Sequence, residues 1–243
     1  MEPVVAGFAA WAPGLEDAAS WEAWSRAPAP LAREGVPDVG FLPPMLRRRC
    51  TPLTRIMLRA AFDACPDAER AEVRTLFASR HGSINESIEM IDAVVEGRAV
   101  SPSRFSHTVH NAQAGLFSIA AGNRCASSSL AAQGDTFPMA FLEALTHLHR
   151  EPGRQVLLVV GDVPLAPRFA PLVREPAASW AVALRLAAAG DGPRVSLALG
   201  EPRPGDAAGE IPQAAAFLGW WLRGEPALEL PGARCRFLWK RLA

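Results

Sequence analysis

QVLLVVGD, residues Gln155 to Asp162, is a continuous run of leucine and valine that stops at a glycine and a carboxylate. Five such residues in a row carry no alternation, so both faces of the strand they form must be covered. A strand covered on both faces belongs to a sheet with helices on each side, and the expectation is an α/β fold with a mostly parallel sheet. The neighbouring segments fit this. Val4 to Trp11 and Val73 to Ala78 read as strands, and Trp180 to Ala187 and Arg194 to Leu199 as two more, joined by the Ala189 to Pro193 turn as a hairpin. Helices are expected at Leu15 to Trp24, at Pro52 to Ala64 behind an N-cap Thr51 and first-turn Pro52, and at Asn85 to Val95. In the last of these, Ile84, Ile88, Ile91 and Val95 share one face. Further helices are expected at Asp135 to His149 and around Gln213 to Leu222, a connection near Ala207 to Gly209, and a closing strand at Cys235 to Lys240.

The totals narrow the function classes. The 243 residues are 49% hydrophobic, enough for one sizeable core, and a single domain is expected, with residues 1–200 as its body and 201–243 as an extension. Lys plus Arg and Asp plus Glu both number 25, so no charge excess draws the chain to nucleic acid or anionic lipid. The N-terminus has Glu2 and no basic run, unlike a secretory signal, and no apolar stretch spans a bilayer; a cytoplasmic location is the expectation. Cys50, Cys65, Cys125 and Cys235 are far apart and form no CxxC pair, which points away from zinc and disulfides. His107 and His110 lack a third ligand at suitable spacing, so no metal is expected. There is no GxGxxG after a strand and no Walker loop, and no cofactor is expected.

Four collinear segments carry a likeness. LRRRCTPLTRIMLRAAFDA (Leu46 to Ala64), TLFASRHGSINESIEMI (Thr75 to Ile91), SRFSHTVHNAQAGLFSIAAGNR (Ser103 to Arg124) and QVLLVVGD resemble, in order, pieces of the N-terminal half of β-ketoacyl synthases. Those pieces are a basic turn into a long helix; a strand, glycine turn and helix; an asparagine with a small-residue helix and a Gly-Pro pair, here Asn111, Gly115 and Gly122-Asn123; and the central strand. The resemblance implies a thiolase-like fold reduced to a single N-terminal-type half. It is nearest to the short chain-length-factor type found in aryl polyene and type II polyketide-like clusters. The second half, which supplies the family's catalytic histidines and lysine, has no counterpart after Leu199.

The resemblance also implies where a nucleophile would stand. A synthase holds a thiolate at a strand-to-helix junction, where the helix N-terminus lowers its pKa and backbone N–H groups receive the oxyanion. Here that junction is Leu130 to Asp135, which contains no thiol; the family's spacing puts the position at Ala131, and a slip of two residues puts it at Gln133, glutamine there being a feature of chain-length factors. Cys125, in CASSSL, is the alternative nucleophile, but it lies three residues after Gly122, ahead of the strand that should precede the junction. Its plain reading is a small buried residue at a strand's start.

Residues before Asn111 approach the two-fold interface in the resembled fold and line the tunnel of chain-length factors. Phe105, His107, Val109, His110 and Asn111 are therefore the tunnel or interface candidates. His147 and His149 end a helix and suit its dipole; His81 is assigned nothing. Arg47 to Arg49 suit either an acidic carrier protein or a solvated turn. The implied role is a non-catalytic subunit that pairs with a full-length β-ketoacyl synthase, meets acyl carrier protein through the complex and shapes the acyl or polyene tunnel. An active acyltransferase using Cys125 and a free-standing acyl-binding scaffold are the alternatives. With half of a duplicated fold, one sheet face lacks cover, so either Phe217, Trp220 and Trp221 fold back over it or another chain does.

Overall fold

The computed structural model describes residues 1–173, 176–206 and 209–242. The elements run β1 (Val4–Trp11), α1 (Ala18–Arg26), the one-turn α2 (Pro44–Arg47), α3 (Pro52–Ala64), the one-turn α4 (Asp67–Arg70), β2 (Arg74–Ala78), α5 (Ile84–Val95), the one-turn α6 (Pro102–Phe105) and α7 (Ala112–Ala121). Then come β3 (Ser127–Leu130), α8 (Thr136–Arg150), β4 (Val156–Asp162), β5 (Trp180–Ala187), β6 (Arg194–Gly200), α9 (Gln213–Arg223), β7 (Ala227–Pro231) and β8 (Arg236–Leu242). The eight strands form one sheet in the order β3-β2-β4-β5-β1-β6-β8-β7.

The fold is α/β, but its sheet is mixed and not mostly parallel. Only β3–β2 and β2–β4 are parallel; the other pairings are antiparallel. The unbroken apolar run of β4 reports burial on both faces, which a strand between one parallel and one antiparallel neighbour has equally. Leu157 and Val159 enter the core beneath α3 and α7, while Val156, Leu158 and Val160 enter the core beneath α1, α8 and α9. The expected β5–β6 hairpin does not form either, because β1 lies between the two strands, with Val4 opposite both Ala187 and Arg194.

Local chemistry places α3 against the strands. Thr51 Oγ1 accepts the N–H of Thr54 and Pro52 starts the first turn, and Leu53, Ile56, Met57, Ala60, Ala61 and Ala64 form its buried stripe. Gly161 lets α3 and β5 approach β4: a Cβ there would stand 2.7 Å from the Trp180 carbonyl oxygen and 3.1 Å from Met57 Cγ.

The second face is covered from within the chain. α9 buries Phe217 and Trp220 completely, and Trp239 of β8 meets Phe141 at 4.7 Å and Phe217 at 4.8 Å between ring centroids. β7, unread in the sequence, closes the edge against β8. The expected connection at Ala207 to Gly209 is described only at Gly209; Ala207 and Ala208 lie outside the described residues. The expected α5 stripe is covered only in part: Ile88 is buried, as is Met90 outside the stripe, whereas Ile91 is 60% and Val95 81% exposed.

Candidate functional site

The three parallel strands end together, and the turns that follow them meet. Asp162, the last residue of β4, accepts hydrogen bonds from Ser79 Oγ at 2.7 Å, Arg80 N at 3.1 Å and His81 N at 3.2 Å. Ser79 Oγ in turn accepts the Gly82 N–H at 2.8 Å, in a turn where Gly82 takes a φ of 57° that favours glycine. The carboxylate thus ties the turn between β2 and α5 to the end of β4. Burial holds the Asp162 pKa above the usual carboxylate range, against the pull of Ser79, the two amides and Arg80. Burial, and secondarily the Arg80 charge, pushes His81 below the ordinary imidazole value.

Two residues of the α7 entry reach the same turn. His110 Nε2 lies 3.0 Å from the Ser79 carbonyl oxygen, which fixes that nitrogen as the donor. Gln113 Nε2 donates to Ser83 Oγ at 3.2 Å.

The turn from β3 into α8 carries Gln133 at φ 51°, the only non-glycine residue with positive φ among the described residues. Such a backbone costs of order 1–3 kcal/mol and persists only where its surroundings impose it. Thr136 imposes it here: its Oγ1 donates to the Gln133 carbonyl oxygen at 2.6 Å and accepts the Ala132 N–H at 3.0 Å. Asp135 fastens the turn to the C-terminal segment by accepting the Ala233 N–H at 3.0 and 3.1 Å. Gln133 and Ala131 are both exposed. Gln133 opens the 3-10 turn ahead of α8, and Ala131 lies between that turn and the strand. No residue from Leu130 to Thr136 carries a thiol.

Gln133 also borders a cavity of about 740 Å³ that runs from the strand ends to the C-terminal segment. Arg80, His81 and Asp162 line it, and so do Gln213 and Leu230, which the sequence reading passed over. Phe105, His107, Val109, His110 and Asn111 do not line it. They lie at α6 and the turn into α7, where Phe105 is 62% exposed. Arg104 of α6 pairs with Glu89 of α5 at 2.5 Å. Partial burial, then Arg49, lowers the His107 pKa. The sheet ends at β3, which has no strand on its outer side among the described residues.

Cys125 sits before β3, at the end of the strands opposite the Gln133 turn. Its Sγ faces the Glu72 carbonyl oxygen at 3.2 Å and the Arg154 guanidinium at 2.9 Å. It is half-buried, at no helix N-terminus. His147 of α8 is buried, with Nε2 3.3 Å from Ser128 Oγ and 3.2 Å from Glu143; burial, then Arg74, lowers its pKa. Among the described residues, no three His, Cys, Asp or Glu side chains are grouped to hold a metal, and no helix is long and apolar enough to cross a membrane.

The sequence matches the family model described as the β-ketoacyl synthase N-terminal domain over residues 21–240. No curated protein matches it. Among solved structures, the chain is similar to one from the Xenorhabdus doucetiae ketosynthase ApeO in complex with its chain length factor ApeC, at 28% identity and TM-score 0.81, covering 99% of this chain and 100% of that one. The ishigamide ketosynthase/chain length factor shares the fold at 16% identity and TM-score 0.63, over 82% of this chain and 68% of that one. So does a type II polyketide ketosynthase complex with its acyl-carrier protein, at 14% and 0.58, over 76% and 63%.

Proposed function

This chain belongs to the β-ketoacyl synthase N-terminal-domain family, and from that premise we propose that it is a chain-length-factor-like subunit. In this reading it pairs with an active β-ketoacyl synthase and shapes the acyl or polyene tunnel without forming bonds itself. The observation that carries the reading is the backbone at Gln133. A strand-to-helix turn held at φ 51° is the kind of strained junction on which a synthase presents its thiolate, and here the residue on it is an amide. Between Ala131 and Gln133, we assign the vestigial nucleophile position to Gln133. An amide neither attacks a thioester nor leaves, so an acyl group is not held covalently there.

Pairing is supported by the full-length likeness to a chain of the ApeO–ApeC complex. It is supported too by the apolar side chains left exposed on α5, at Ile91, Val94 and Val95, and by the exposed Phe105 and Val109. On this reading Phe105, His107, Val109, His110 and Asn111 face the partner synthase, and the chain end grows toward them. Acyl carrier protein meets the complex rather than this subunit alone.

The test is co-expression with a full-length ketosynthase encoded nearby, tagging only this chain and weighing the product by native mass spectrometry. A one-to-one complex is expected. A monomer or homodimer that ignores the synthase refutes the pairing.

A further inference from the structure

Helix α5 carries the exposed Ile91, Val94 and Val95, yet its own buried side chains, Ile88, Met90 and Ala93, join neither of the two hydrophobic cores that pack on the sheet. Those cores therefore do not fix where the helix sits. Polar ties do. The Asn85 side chain grips the main chain of the segment after β4: its Nδ2 donates to the Pro164 carbonyl oxygen at 2.9 Å and its Oδ1 accepts the Ala166 N–H at 2.9 Å. Seven residues on, and so on the same side of the helix, the two Asp92 carboxylate oxygens accept from Arg168 Nη2 at 2.8 and 2.7 Å.

The tied segment serves two neighbours. Val163, Pro164, Leu165 and Ala170 line the cavity, while Pro164, Ala166 and Arg168 hold α5. From α5 the connection runs on, because Glu89 pairs with Arg104 of α6, the residue before the exposed Phe105. We infer that Asn85, Asp92 and Arg168 are positioning residues of a strap: residues 163–170 hold α5 and α6 where the partner synthase meets them, and seating of the synthase in turn tightens that wall of the cavity. This deepens the subunit role above and rests on it for the identity of the partner.

The ion pair is half open to solvent, with the Arg168 side chain 52% and that of Asp92 38% exposed. A helix fastened in this way opens locally far more easily than the core strands. Covering its bare apolar side chains favours the fastened state, and linkage requires the strap that fastens it to gain order in the same step.

The test measures hydrogen–deuterium exchange by mass spectrometry in the full chain, free and with the full-length ketosynthase encoded nearby. In the free chain, Asn85→Ala and Arg168→Asp are each expected to speed exchange at least fivefold in both residues 84–95 and residues 168–173, with β4 and α3 unchanged. Adding Asp92→Arg to Arg168→Asp restores the pair with its charges exchanged and should return both segments to within twofold of wild type. On binding the synthase both segments should slow together. Arg168→Asp should weaken capture at least threefold, and the double variant should recover it. Exchange that stays unchanged or rises only in the segment substituted, no recovery in the double variant, or equal capture by all variants overturns the inference. If wild type takes up no synthase, the pairing itself falls, and exchange in the free chain still decides the strap.

Discussion

The hydroxyl of Ser79 and the carboxylate of Asp162, one just past β2 and the other ending β4, are joined by a 2.7 Å hydrogen bond across the ends of two parallel strands. Ser79 also receives the Gly82 amide and, through its carbonyl, the imidazole of His110. One carboxylate therefore fixes both the cavity floor and the start of the outer surface made by α5 and α6.

Replacing Asp162 with asparagine leaves at least one of its donors facing an N–H group, and a loss of about 1–3 kcal/mol is expected. For a chain of this size that lowers Tm by roughly 2–12 °C. The pH dependence has a definite sign. Burial raises the Asp162 pKa above its unfolded value, so the folded state holds the proton more tightly. Its contribution is complete below the unfolded pKa and declines as pH rises through the folded one. Melts of wild type and Asp162→Asn from pH 3.5 upward should show the gap narrowing with pH.

At Gln133 the strained backbone predicts an unusual order of substitutions. Gln133→Gly should be neutral or stabilising by up to about 1 kcal/mol, because glycine takes φ 51° without penalty. Gln133→Val should cost about 1–2 kcal/mol although the site is exposed. Urea titrations of the two variants measure both values.

On the outer surface, Val95→Asp and Phe105→Asp should leave the isolated chain's stability within about 0.5 kcal/mol, since both side chains are exposed. Each should weaken capture of the partner synthase more than tenfold if it lies near the centre of the interface. The isolated wild-type chain should self-associate, and sedimentation velocity should show both variants less aggregated.

Cys125→Ala should leave product formation by the assembled complex unchanged within twofold. A loss of a hundredfold or more would make Cys125 a nucleophile and refute the assignment of Gln133.

Phe217→Ala in α9 should cost about 3–5 kcal/mol, because the ring is completely buried against Phe137, Phe141 and Trp239. Differential scanning calorimetry should show Tm falling by about 6–20 °C. That result would make the last forty or so residues part of the core and not an appendage.

The sequence made the individual strands and helices legible where composition and period act locally. The valine-leucine run of β4 and the capped stripe of α3 both fell where expected. What escaped was long-range. Nothing in Trp180 to Leu199 signals that β1, from the other end of the chain, will part β5 from β6. Period 3.6 located the apolar face of α5, yet periodicity cannot say which chain covers that face, and Ile91 and Val95 are bare here. β7 ends in a proline at the sheet's edge and shows too little alternation to be read. At the site, counting residues pointed to Ala131, with Gln133 two residues on reachable by a slip, and the positive φ of Gln133 is a backbone property that no count of residues carries. Asp162 and Gln213 gave no spacing signal, because their partners are 80 residues away or main-chain groups.

The place of β1 in the sheet has a kinetic consequence. Val4 pairs with Ala187, so β1 leaves the ribosome about 180 residues ahead of its partner strand β5. At ordinary elongation rates that delay is about 10–40 s. The parallel trio can close once β4 has emerged, whereas β1 must stay unpaired with Val4 and Trp11 bare. Translation pausing after residue 162 should then increase aggregation, and a circular permutant that begins at β2 and carries β1 behind β8 should relieve it.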